Sequence, residues 1–168
     1  MLMFCQPSDS RLEKHFPTMQ LLTNFTHLQN QTGAPIVLPA ESIHLSTVSL
    51  FGELTGDRND HNTEATQKFV RPAVQGFLSL SLFADFHKRI CRIENADPIN
   101  VRIIETRFLR PVYVDEPITP KLTIKSAEQK SDHIVVIWKY ELLNTASKKL
   151  VFAEIELRYY FTTNHTHQ

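Results

Sequence analysis

The stretch AVQGFLSLSLFADFHKRI, residues 73–90, constrains this chain more than any other. Val74, Phe77, Leu78, Leu80, Leu82, Phe83, Phe86 and Ile90 are spread around nearly every side of a helix, and a helix that is apolar all round has to be enclosed. The C-terminal part of the chain can enclose it. Beyond Pro98 the apolar period changes from 3.6 to 2. Segments 101–109, 118–127, 133–143 and 150–161 alternate apolar with polar residues, as in Ile134, Val136, Trp138, Tyr140 and Leu142. The turn 114–117 and the linker 144–149 are of hairpin length. Helices followed by strands predict an α+β domain, with a curved antiparallel sheet wrapped on the helix from about Gln75 to Ile90.

Length and charge narrow the functions open to such a domain. The 168 residues carry 18 Lys plus Arg against 18 Asp plus Glu, without a local basic run. Nucleic-acid binding is therefore not expected, because it relies on a cationic surplus that displaces counterions. Membrane adsorption loses support on the same ground, and no uncharged apolar stretch is long enough for membrane insertion. Cys5 and Cys91 are the two cysteines, far apart and without metal-ligand spacing, which indicates a reducing, cytoplasmic setting. The start, Met1 to Cys5, lacks the basic segment of a secretory leader. Residues 1–40 read as an N-terminal extension with one short strand near 36–38, residues 41–163 as a single domain, and 164–168 as a tail.

Four glycines in 168 is well under the usual share of about 7%, so each marks a place where a side chain is unwelcome. Gly33, Gly52, Gly56 and Gly76 are spaced so that no dinucleotide, phosphate-loop or nucleophile-elbow motif forms. Three of them fall between 52 and 76. There a helix with Ser46 as a candidate N-cap and Val48, Leu50, Phe51 and Leu54 on its apolar face stops at Thr55-Gly56. It feeds the polar loop 57–63, after which a second helical turn from Glu64 is expected to run towards Phe69. Without further context Asp57 reads as turn chemistry after a glycine.

In this segment the runs LFGELTGDRNDHN, FVRPAVQGFLSLSLF and RFLRPVYVDEP resemble the MaoC-like dehydratases, the (R)-specific enoyl-thioester hydratases of the hot-dog fold. That family's blocks read T/S-G-D-x-N-P-x-H, then R/G-P-x-x-H-G, then R-F-x-x-P-V-x-x-G-D, and this chain has them in that order over about residues 46–160. The resemblance implies a lyase that reversibly hydrates a trans-2-enoyl thioester to the (R)-3-hydroxyacyl thioester in fatty acid or polyketide-type metabolism. It implies no cofactor and no metal, an acyl-CoA or acyl-carrier-protein thioester as substrate, and a homodimer. Carried over, Asp57 matches the catalytic Asp, Asn59 the loop Asn, and Gly76 the glycine whose N–H donates to the thioester oxygen as it gains charge.

The histidine of the first block would fall at Asn62, whereas this chain has His61 one residue earlier and Asp60 in place of the proline. Either His61 fills the catalytic place by a shift of the loop or Asn62 occupies it. Gln75 replaces the His before the glycine, and Asp115-Glu116 replaces the Gly-Asp turn. Gln75, Asn59 and Asn62 are expected at the substrate. Arg71 and Arg110 are candidates for carrier phosphates, as are Arg107 and Lys121, with solvated surface charge as their plain alternative. A calcium loop on Asp57, Asn59 and His61 is discarded, because Lys68 stands where its bidentate Glu is needed. Ser79 and Ser81 read as core hydroxyls. Two rivals keep the fold and change the function: a thioesterase in which Asp57 directs water at the carbonyl carbon, and an acyl-thioester-binding subunit without catalysis.

Overall fold

The computed structural model describes residues 21–162, so segment 1–20 and the tail, with His165 and His167, lie outside the described residues. Five strands form one antiparallel sheet in the order β1-β3-β4-β5-β2. They are β1 (Pro35–Val37), β2 (Ala96–Phe108), β3 (Thr119–Gln129), β4 (His133–Leu143) and β5 (Lys149–Phe161). The last four are the four alternating segments, and their inward residues form the core. Ile124, Val136, Trp138, Tyr140, Leu142, Ala153 and Tyr159 are fully buried.

The central helix comes as two short pieces, α4 (Gly76–Ser81) and α5 (Phe83–Ile90), joined at Leu82, which itself keeps a right-handed helical backbone. It is not enclosed on every side, which corrects the sequence expectation. Leu78, Leu80, Phe83, Phe86 and Ile90 are buried against the sheet, where Phe83 and Phe86 meet Tyr140 with ring centroids 5.7 and 6.2 Å apart and Tyr140 donates to Ser79 O at 2.9 Å. Phe77, Ser81, Ala84, Asp85, Lys88 and Arg89 face outward, with Phe77 65% exposed. One side of the helix is thus left without cover by the described residues.

The expected domain boundary at residue 41 also moves. Strand β1 pairs with β3 through Pro35↔Thr123, Ile36↔Leu122 and Val37↔Lys121, and α1 (Phe25–Gln31) places Leu28 in the same core as Leu22 and Leu38. Residues 21–40 therefore belong to the domain. The sheet has unequal edges. β1 is three residues long and carries Pro35, whereas β2 runs thirteen residues, is exposed on both faces over most of its length, and has bulges between Asn100 and Arg102 and between Ile103 and Glu105. No helix among the described residues is long and apolar enough to cross a membrane.

Candidate active site

Helix α2 (Leu45–Thr55) delivers the first block. Its N-cap is His44 rather than Ser46, and its end is Gly56 at φ 76, whose N–H donates to Gly52 O at 3.0 Å. A left-handed residue there turns the chain sharply, and glycine takes that conformation without a Cβ penalty. Asp57 comes directly after it. Asn59 Nδ2 donates to Asp57 Oδ1 at 2.7 Å, so one carboxylate oxygen is held. The next helical turn is α3 (Asp60–Thr63), with Asn59 as its N-cap, and not a turn starting at Glu64.

Asn62 closes this turn from the inside. It is 2% exposed, its Oδ1 accepts from Asn59 N at 3.2 Å, and its Nδ2 donates to Ala73 O at 2.7 Å. Both ends of the amide are therefore engaged in holding the loop to the strand-like segment before α4. His61 points elsewhere: its ring lies 5.0 Å from that of Phe69, and it does not line the cavity at Asp57. That cavity, about 290 Å³, is bounded by Val48, Gly52, Asp57, Asn59, Asn62 and Gln75 among others. The structure thus gathers Asp57, Asn59, Asn62 and Gln75 and leaves His61 outside.

Gln75 and Gly52 explain why the cavity has this shape. Gln75 is buried, and its Nε2 donates to Val48 O at 3.0 Å and to Asp57 O at 3.2 Å, tying α2 and the Asp57 loop to the start of α4. Gly52 lets that happen, since a Cβ there would stand 3.1 Å from Asp57 O and 3.4 Å from Gln75 Nε2. The glycine-poor composition marked Gly52 as a place where a side chain is unwelcome, and the approach of Asp57 O and Gln75 supplies the reason. At Gly76 a Cβ would come within 3.2 Å of the Phe108 ring, which also meets Phe77 edge-on at 6.1 Å. Glycine at 76 therefore serves close packing in any case.

A second, apolar cavity of about 550 Å³ lies on the other side of the seam between α2 and α4, lined by Phe51, Phe77, Leu80, Phe83, Val101 and Ile103. Phe51 and Gly52 on one helix, and Gln75 and Phe77 on the other, put the two cavities back to back. Arg71 and Arg110 line neither. Arg71 stacks on Tyr113 at 4.8 Å and pairs with Glu116 at 3.2 Å, while Arg110 Nη1 donates to Lys149 O at 2.7 Å. At the far end of the central helix sits a buried polar group. His87 Nε2 and Tyr159 Oη are 2.5 Å apart and Cys91 Sγ is 3.4 Å from the same hydroxyl. Burial, with a smaller contribution from Lys88, lowers the His87 pKa to about 4, and burial pushes the Cys91 thiol up to about 11.

No family model matches this sequence, and no curated protein does. Solved structures do. A monoamine oxidase regulatory protein from Archaeoglobus fulgidus superposes with TM-score 0.70 at 20% identity, over 86% of this chain and 98% of the other. The (R)-hydratase PhaJ1 from Pseudomonas aeruginosa gives 0.63 at 24% identity, over 75% and 79%. A MaoC-like dehydratase from Rhodospirillum rubrum gives 0.63 at 10% identity, over 79% and 94%. The domain has the hot-dog fold that these MaoC-like dehydratases and (R)-hydratases share.

Proposed function

We propose that this chain belongs with the MaoC-like (R)-hydratases and dehydratases and adds water reversibly across the double bond of a trans-2-enoyl thioester. The observation that carries this reading is the one carboxylate of the cavity wall held by a neighbour, Asp57, with an apolar cavity of acyl-chain dimensions beside it. Asp57 takes a proton from water as the water oxygen bonds to C3. The electron pair of the double bond moves through C2 into the thioester carbonyl, whose oxygen accepts from the Gly76 N–H. The protonated Asp57 then gives its proton to C2 on the same face, which restores the carboxylate and balances the step. Dehydration runs the same path backwards. Asn62 moves no proton in this scheme, because its amide is spent on Asn59 and Ala73, and His61 lies outside it.

The substrate is an acyl thioester of coenzyme A or a carrier protein, and the working unit is a homodimer joined through β2. A thirteen-residue edge with exposed Ile99, Val101, Ile103, Ile104, Phe108 and Leu109 needs a partner to satisfy its free backbone groups and apolar side chains. Loss of the ultraviolet absorbance of a conjugated short-chain enoyl-CoA, abolished by Asp57→Asn and yielding the (R)-3-hydroxyacyl product, is the expected result. One observation favours a second reading, an acyl-thioester-binding subunit without catalysis: among the described residues no imidazole shares the cavity with Asp57. Tight acyl-CoA binding with no absorbance change for any chain length, unaltered by Asp57→Asn, would decide for it. Release of free thiol instead would move the assignment to a thioesterase.

A further inference from the structure

The outer face of the sheet carries a charge pattern that the sequence conceals, because it is assembled from separate strands. Glu141, 1% exposed, is ringed by three lysines: Lys149 Nζ at 2.5 Å, Lys139 at 3.5 Å and Lys121 at 3.6 Å. Beside it Lys125 pairs with Glu154 at 2.6 Å, and Glu154 stands opposite Lys139 in the β4–β5 ladder. Arg110 joins the group through Lys149 O at 2.7 Å. Five cations thus face two carboxylates, and exposed Lys148 extends the group into the β4–β5 turn. In a chain with no net charge, this is a marked local surplus.

We propose that this face is a docking surface for an acidic acyl carrier protein, a reading that rests on the acyl-thioester function above and selects its carrier. Three features support it. The surplus lies on an open strand surface and a turn; none of its cations lines either cavity at the site, where Arg58 and Arg102 are the single cations among the described residues. A compact polyphosphate is held best by cations converging in a groove, whereas a spread, flat patch suits a protein face bearing carboxylates. The patch also sits next to the site: Arg110 is two residues beyond Phe108, whose ring packs on Gly76, so a carrier docked here holds its thioester arm near the start of α4. Finally, the wall of the Asp57 cavity holds Glu53, Asp57 and Asp60 against Arg58 alone, which leaves the outer sheet as the place where a polyanion is welcome.

The test is calorimetric titration of the full-length protein with a butyryl-loaded acyl carrier protein and, separately, with butyryl-CoA, each at low and high salt. The carrier is expected to bind, to weaken as salt rises, and to lose about tenfold in affinity with Lys148→Glu/Lys149→Glu, while butyryl-CoA affinity stays the same. Lys148→Glu alone, which leaves the Glu141 cluster intact, is expected to lose about threefold and stands in if the double variant melts. Equal carrier affinity in wild type and variants overturns the proposal. So does binding of butyryl-CoA without the carrier, and in that case the acyl-thioester function survives. Binding of neither ligand overturns both. A short DNA duplex that outcompetes the carrier overturns it in favour of nucleic acid.

Discussion

The two ends of the central helix hold polar groups of similar kind under opposite conditions. At the Gly76 end, Asp57, Asn59, Asn62 and Gln75 meet around a cavity, and Asp57 is only partly covered. At the Ile90 end, His87 packs against Trp138 and Phe83 and is 2% exposed, and Tyr159 and Cys91 are buried beside it in the wall of a third cavity of about 860 Å³. Burial there keeps every group neutral: the imidazole loses its proton readily, and the thiol and both buried tyrosine hydroxyls, Tyr140 and Tyr159, hold theirs. Titratable residues alone therefore do not mark a site. A neutral, mutually bonded cluster stabilises the fold even where it borders a cavity, and a partly exposed carboxyl group with one oxygen left unheld is free to do chemistry.

Breaking the open end has the largest expected effect. Asp57→Asn removes the base while keeping the shape and the Asn59 contact, and is expected to cost about a thousandfold in enoyl-thioester hydration, read by absorbance, with an unchanged melting temperature. The buried end answers to pH instead. The His87 pKa is about 4 when folded and 6.5 when exposed, so between these values the unfolded chain binds a proton that the folded one refuses. Stability is full above about pH 6.5 and falls by about 3 kcal/mol as pH drops towards 4, in thermal melts across that range. In His87→Phe that part of the acid loss disappears.

Asn62→Ala leaves the part-buried Asn59 N and the buried Ala73 O without these partners. It should lower stability by about 2 kcal/mol in urea titration, with activity falling as the loop loosens. Gly56→Ala forces a side chain into φ 76 and is expected to cost about 1 kcal/mol by the same titration. The smallest effect belongs to His61→Ala, within about twofold in turnover, since the ring touches Phe69 rather than the cavity. A large loss there would return His61 to the site and undo the contrast between Asn62 and His61.

Most of the sheet was legible because burial imposes a period of two, and β4 begins and ends where the alternation does, at His133 and Leu143. Alternation places the start of β2 five residues late, at Val101 rather than Ala96; its two bulges break the pattern, and as a free edge it buries neither face. The stop of α2 was legible because Gly56 takes a backbone few residues accept. What stayed hidden depends on contacts distant in sequence. The direction of the His61 ring is set by Phe69, and the use of Asn62 by Ala73 O, neither of which spacing within the motif reveals. Counting along the motif identifies position 62 as the family's histidine place, but not that its amide is occupied twice. The lysine ring around Glu141 escaped for the same reason, since 121, 139 and 149 are adjacent only once β3, β4 and β5 pair.

The hydrogen-bonding demand at position 62 is for one acceptor, towards Asn59 N, and one donor, towards Ala73 O. A neutral imidazole offers that same pair of functions. A ring that kept both bonds would have each of its nitrogens engaged, so a histidine at this place moves a proton only by releasing Asn59 N or Ala73 O. Holding the loop and moving a proton thus compete for the same two atoms at position 62, and in this chain the loop has them.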